Sequence, residues 1–313
     1  MSETIKPEKA IRFELPYRLC DVFTSTSFQG NQLAVFEDAG ELTSAEMQAL
    51  ANETNLSETT FIIRREVAIE CERGVRVRIF TTREELPFAG HPTLGTACTI
   101  RSIFPEYAGA AEIALDLNIG KIRVEFPADK QKSGTQYGVM TQAKPTFGAI
   151  HEPARAAAAL GLTVNDLLQD AAPQTVSTGL PYCVVPLRSL EILGRLQIPQ
   201  RQAAEYLSTM GARFAYCLAR IPGEPNTWQA RMQFYNGEDP ATGSAAGCAI
   251  SYLVEHGLAD SERQVHLRQG VEIGRTSDLY VSAKRTSVGI DEVRVGGSTV
   301  PVAKGVVFLE RST

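Results

Sequence analysis

Short apolar stretches recur along the chain at 17–23, 33–36, 59–63, 75–81, 113–117, 122–126, 182–185 and 214–218. They are rich in Val, Ile, Phe and Thr and are bounded by Gly, Pro or Asp, which predicts strands. Helical signals between them are fewer. Thr43-Ser-Ala-Glu46 is a capping box, and Met47, Leu50 and Ala51 follow on one helical face. The stretch 152–160 is Ala-rich and stops at Gly161, and Thr163 can cap a short helix running to Leu168. Many strands with few helices argue for an α+β fold rather than a regular βαβ alternation. The polar segment 129–148, which carries Gly and Pro, reads as a connection between domains.

One pattern occurs twice. Arg78-Ile-Phe80 leads to Glu85-Leu-Pro87-Phe-Ala-Gly90-His91, and Arg231-Met-Gln233 leads to Glu238-Asp-Pro240-Ala-Thr-Gly243-Ser244. Arg, Glu, Pro and Gly superpose without a gap at an offset of 153 (Arg78 to Arg231), close to half of the 313 residues. Both copies run on into small and apolar residues, 93–100 and 245–254, which predicts two buried central helices that open at a glycine corner. A duplicated unit follows, with an N-terminal lobe over 1–145 and a C-terminal lobe over 146–313. The final strand can cross back to the first lobe. Two corners facing one cleft would let backbone approach a ligand closely at Gly90 and Gly243. Free N–H groups and positive dipole ends behind them favour a small carboxylate. The plainer alternative is that these glycines only permit tight turns.

Composition narrows the partners. The chain is 43% hydrophobic and 21% charged, ordinary for a globular protein. Lys and Arg number 31 against 36 Asp and Glu, a net charge of −5 that lacks the basic field nucleic acid or an anionic membrane needs. The opening MSETIKPEKA has no apolar core of a signal peptide, and the run 241–254 is shorter than the roughly 20 residues of a membrane-spanning helix. Six scattered cysteines without a C-x-x-C pair read as reduced, buried thiols. The four histidines lack metal-ligand spacing, so no metal is expected. These features predict a cytoplasmic protein that binds neither nucleic acid nor membrane.

Few residues are left to carry chemistry. Glu58 stands between the capped helix and a strand, where burial would suit it to general acid–base work, although such a carboxylate is more often a solvated edge residue. His91 can cap a helix, line a pocket or relay a proton. Asp239 can cap the turn into the second helix or serve a reaction. Ser244 reads as a helix-start donor, since Gly243-Ser-Ala-Ala-Gly247 is not the G-x-S-x-G elbow of a hydrolase. Neither G-x-G-x-x-G nor G-x-x-x-x-G-K-[ST] occurs in a nucleotide-binding context. Acid–base chemistry by side chains alone remains, with no cofactor.

Several segments together resemble the phenazine-biosynthesis isomerase (PhzF-like) family. They are Asp21-Val-Phe-Thr24, Phe28-Gln-Gly30-Asn31, Asn55-Leu-Ser-Glu58-Thr-Thr-Phe61, Glu85-Leu-Pro-Phe-Ala-Gly90-His91-Pro-Thr-Leu-Gly95 and Glu238-Asp-Pro-Ala-Thr-Gly243-Ser244. Ser177-Thr-Gly179-Leu-Pro181, Gln269-Gly270 and Val295-Gly-Gly297 add to the likeness. The resemblance implies a diaminopimelate-epimerase-like fold of two similar lobes, each a mostly antiparallel sheet wrapped round a central helix. It also implies a homodimer and a cofactor-free isomerase in which Glu58 shuttles a proton. His91 and Asp239 then join Glu58 in the catalytic set, and Gly90, Thr242, Gly243 and Ser244 bind substrate. The paired thiols of related epimerases are replaced here at Gly90 and Asp239, which argues against a two-thiol racemase. The leading expectation is an isomerase acting on a small carboxylated substrate in the interlobe cleft. A non-catalytic binding module for small molecules or proteins, and a racemase using Glu58 and Asp239 as opposed bases, stay open.

Overall fold

The computed structural model describes residues 11–235 and 237–311, so the polar opening segment lies outside the described residues. The first part of the chain forms β1 (Ile11–Val22), β2 (Asn31–Phe36), α1 (Ser44–Thr54), β3 (Thr59–Ile63), α2 (Val67–Arg73), β4 (Val75–Phe80), β5 (Glu85–Leu86) and α3 (Gly90–Ile103). Next come β6 (Glu112–Leu117), β7 (Gly120–Glu125), β8 (Gln136–Thr141), β9 (Thr146–Ile150), α4 (Pro153–Ala159), β10 (Gln174–Ser177) and β11 (Pro181–Pro186). After α5 (Leu190–Gly194) and α6 (Gln200–Thr209) follow β12 (Phe214–Arg220), β13 (Thr227–Arg231), β14 (Gln233–Phe234) and β15 (Gly237–Glu238). The chain ends with α7 (Gly243–Glu255), β16 (Val265–Gln269), β17 (Ser277–Thr286) and β18 (Gly289–Arg311). The fold is α+β, and every strand expected above lies within an observed strand or within a residue of one.

Local chemistry explains the element boundaries. Thr43 Oγ1 accepts the Glu46 N–H at 3.3 Å while Glu46 Oε2 accepts the Thr43 N–H at 2.8 Å, the reciprocal pair the capping box requires. Asn55 then closes α1 in the left-handed conformation, with φ of 50°. Glu152 accepts the N–H groups of Ala154 and Arg155 and so starts α4. The helix expected from Thr163 to Leu168 is a single 3-10 turn over Val164–Asp166, because the chain turns extended at Leu167 and bridges to Leu187.

Apart from the separate β14–β15 pair and β5, which pairs beside β4, the strands form one mixed sheet in the order β1-β2-β3-β4-β6-β7-β8-β18-β17-β16-β13-β12-β11-β10-β9. Strand β18 also pairs with β1, which closes the first eight strands of that order into a barrel. Helix α3 runs inside it and touches β1, β2, β3, β6, β8 and β18. That enclosure explains why α3 has no polar face: residues 90–100 are all buried. Helix α7 packs against β10, β11, β17 and β18, and one hydrophobic core runs through both helices. The remaining strands continue from β18 as an arc that ends at β9, so the described pairings do not repeat the closed barrel.

The segment 129–148 corrects the sequence expectation. It holds β8, a wall of the barrel between β7 and β18, rather than a plain connection. The two repeated Arg and Glu residues have a common physical role. Arg78 donates to Glu85 at 2.8 and 2.5 Å, and Arg231 donates to Glu238 at 2.8 and 2.6 Å, each pair fixing the chain reversal that precedes a glycine corner.

Candidate functional site

The reversals aim the first turns of α3 and α7 at each other. A Cβ placed on Gly90 would lie 2.9 Å from the Ser244 nitrogen and 3.0 Å from the Gly243 Cα, so only glycine lets these helix ends meet. Phe23 wedges the joint from the far side. Its ring sits 3.1 Å from where a Gly243 Cβ would be, and its backbone is left-handed at φ 64° although the side chain is fully buried. A bulky residue held in that region stores strain, which tight packing around it must sustain.

The structure brings Glu58, His91 and Asp239 together beside this joint. Glu58 enters from the start of β3 with its side chain 17% exposed, and its Oε2 lies 3.7 Å from His91 Nε2. Burial first, and then the negative charge of Asp239, push the Glu58 carboxyl up to about 8. Burial pushes His91 down to about 3, so its imidazole is neutral at physiological pH. Burial also raises Asp239 to about 6, against the Thr242 hydroxyl and the Asn31 amide that favour its charged form. Both carboxyls are thus raised, Glu58 further than Asp239, beside an imidazole that burial keeps neutral. Titratable groups shifted by burial and gathered in one place mark a candidate functional site.

Each neighbour has a definite partner. The Thr242 hydroxyl donates to Asp239 Oδ2 at 2.6 Å, and Asn31 Nδ2 donates to Asp239 Oδ1 at 2.8 Å. The Ser244 hydroxyl pairs with the Tyr182 hydroxyl at 2.8 Å rather than with His91, which leaves it no general base. Gln142 Nε2 donates to the Gly243 carbonyl at 2.9 Å and its oxygen accepts the Thr178 hydroxyl at 2.7 Å. Among the described residues no three His, Cys, Asp or Glu side chains group as metal ligands. Cys98 and Cys248 are buried within α3 and α7, as expected for core thiols.

Two amides were not singled out as site residues from the sequence. Asn31, at the start of β2, reaches Asp239, the Ala241 carbonyl, His91 and Ser57. Gln269 is fully buried, donates to the Asp239 carbonyl and the Thr242 hydroxyl, and accepts from the Thr242 N–H and the Tyr216 hydroxyl. Three of its four hydrogen bonds fix the turn that carries Asp239, and the fourth anchors the amide to Tyr216 on β12. Both amides stand in segments quoted above, Phe28-Gln-Gly30-Asn31 and Gln269-Gly270. That is the only signal that marks them, since their partners are remote in sequence.

The family model for phenazine biosynthesis-like proteins matches residues 20–305. The trans-2,3-dihydro-3-hydroxyanthranilate isomerase of Pseudomonas chlororaphis is 32% identical over 299 residues, spanning 94% of this chain and 99% of that protein. A predicted epimerase from Pseudomonas aeruginosa, of known structure, is 35% identical with a TM-score of 0.78, covering 94% of this chain and 99% of that one. A hydroxyproline epimerase from Agrobacterium vitis, solved with trans-4-hydroxy-L-proline, shares the fold at a TM-score of 0.63 and 10% identity over 95% of this chain and 92% of its own. The fold is thus related to those of epimerases and racemases. The chain belongs to the phenazine biosynthesis-like family and is an isomerase of that family.

Proposed function

We propose that the protein is a cofactor-independent isomerase that moves a proton between two carbons of a small carboxylated substrate, with Glu58 as the shuttle. The observation that carries this reading is the raised Glu58 carboxyl beside a neutral His91 and a doubly hydrogen-bonded Asp239. The carboxylate form of Glu58 takes a proton from one carbon, and the electron pair of that C–H bond enters the adjacent π system. Glu58, now protonated, returns the proton to another carbon and the double bond moves. Nothing is oxidised or reduced, and the base is regenerated. A group titrating near the working pH suits both halves of that cycle, and such a placed acid–base group contributes about 10²–10⁴-fold. His91 and Asp239 orient the polar groups of the substrate. The N-terminal turns of α3 and α7, with Gly90, Thr242, Gly243 and Ser244, face its carboxylate.

Both Asp239 oxygens already accept hydrogen bonds, from Asn31 and from Thr242. That favours a binding role for Asp239 over a second base, and an isomerase over a two-base racemase. We read the chain as two lobes, 1–145 and 146–313, hinged about the α3–α7 joint. The test is a binding and turnover screen of small carboxylic acids, beginning with trans-2,3-dihydro-3-hydroxyanthranilate. Glu58→Gln should abolish turnover of any hit while keeping fold and binding. A Gln variant with normal turnover would overturn the reading.

A further inference from the structure

Asn31 sits where the whole cluster meets, and its hydrogen-bond count does not balance. The amide nitrogen has two hydrogens but faces three acceptors: Asp239 Oδ1 at 2.8 Å, the Ala241 carbonyl at 2.9 Å and His91 Nδ1 at 3.3 Å. The amide orientation is set apart from the ring, because Asp239 Oδ1 and the Ala241 carbonyl can only accept and so require the NH₂ group on their side. An amide nitrogen donates and does not accept, so the contact with His91 Nδ1 is a hydrogen bond only when Nδ1 carries no proton. The single proton of the neutral ring therefore belongs on Nε2. That nitrogen is buried, has no hydrogen-bond partner, and lies 3.7 Å from Glu58 Oε2, beyond bonding distance. A buried donor without a partner is costly, and its direction marks the space beside Glu58 as the place where an acceptor belongs.

We infer that Asn31 is a positioning residue: it fixes His91 as the Nε2–H tautomer, which offers that proton to a substrate oxygen next to Glu58. The same amide ties Asp239 and Ala241 to β2, so the ring and the carboxylate are set by one group. Its substrate-facing consequence rests on the reading of Glu58, His91 and Asp239 as the active site. The tautomer itself does not. The charged groups nearest the ring are Glu58, opposite Nε2, and Asp239, across the Asn31 amide.

The test is ¹⁵N NMR of the full chain labelled at histidine, with the His91 signals identified by their loss in His91→Gln. The expected wild-type spectrum shows His91 neutral and protonated on Nε2 from pH 5 to 8. Asn31→Asp places an acceptor against Nδ1 and should raise the His91 titration by a unit or more, a tenfold change in proton affinity. Where substrate is in hand, that variant should lose kcat more than tenfold with a smaller change in KM. A wild-type proton on Nδ1 overturns the inference, as does a folded Asn31→Asp variant whose His91 titrates as before. Should Asn31→Asp fail to fold, the wild-type tautomer alone decides. Failure of the shuttle reading would appear separately, as turnover by Glu58→Gln with the His91 tautomer unchanged.

Discussion

Truncating Arg231 tests the repeated ion pair where it is most enclosed. Its side chain and that of Glu238 are each 8% exposed, and Glu272 lies a further 3.7 Å from the same guanidinium. The remaining terminal nitrogen donates to the carbonyls of Leu193, Gly194 and Leu196. Arg231→Ala therefore strands a buried carboxylate, leaves a second one without its neighbouring cation and strips three carbonyls of a donor. Breaking a buried pair from one side costs about 3–5 kcal/mol. The Arg78 copy has the same fork geometry, but Arg78 and Glu85 are 17% and 24% exposed, so water can replace much of what is lost. Arg78→Ala should cost about 1–2 kcal/mol. At about 2 °C per kcal/mol for a chain of this length, the melting temperature falls by about 6–10 °C for Arg231→Ala and about 2–4 °C for Arg78→Ala. Scanning calorimetry of both variants under one buffer is the assay. Equal shifts, or a fall of under about 2 °C for Arg231→Ala, would refute the claim that burial sets the value of this pair.

Three further outcomes follow from the same structure. Gly90→Ala must force α3 and α7 apart, since its Cβ meets backbone at 2.9 Å; it should cost about 1–3 kcal/mol and remove most activity, seen by melting and turnover. Glu58 is raised from 4.5 to about 8, so the native state keeps a proton that the unfolded chain releases, and its contribution to stability is lost as pH rises through that window. Glu58→Gln should therefore raise the melting temperature more at pH 8 than at pH 5, and a uniform shift would contradict this. His151 is lowered by burial from 6.5 to about 4 and is held neutral between Tyr206 and Thr175. The unfolded chain takes up this proton first, so stability falls as pH drops from 6.5 toward 4, and His151→Gln should flatten that loss in melts at pH 7 and pH 5.

Features governed by neighbours in sequence were legible, and features governed by long-range fit were not. The α1 capping box and the early strands rest on local spacing and appear as expected, whereas the repeated Arg and Glu were visible only as a pattern and their pairing emerges from the fold. Strand β8 was hidden because Gly138 makes it look like a linker. In the fold that glycine lets α3 approach: a Cβ there would lie 2.7 Å from a Leu94 methyl carbon. Gly297 similarly interrupts the pattern of β18, yet its bare face takes the ring of Phe23. At the site, Glu58, His91 and Asp239 stood in long specific segments and could be named. Asn31 and Gln269 could not be given roles, because an amide acquires one only from the donors and acceptors that folding places around it.

Transfer of substrate hydrogen reaches the central claim most directly. With a turned-over carboxylic acid that carries deuterium at the carbon losing the proton, the wild-type protein in H₂O should return part of that deuterium to the carbon that receives it. Glu58→Gln should bind the same compound and transfer none. Wild-type product that keeps none of the transferred deuterium, or undiminished turnover by Glu58→Gln, would contradict a proton shuttle at Glu58.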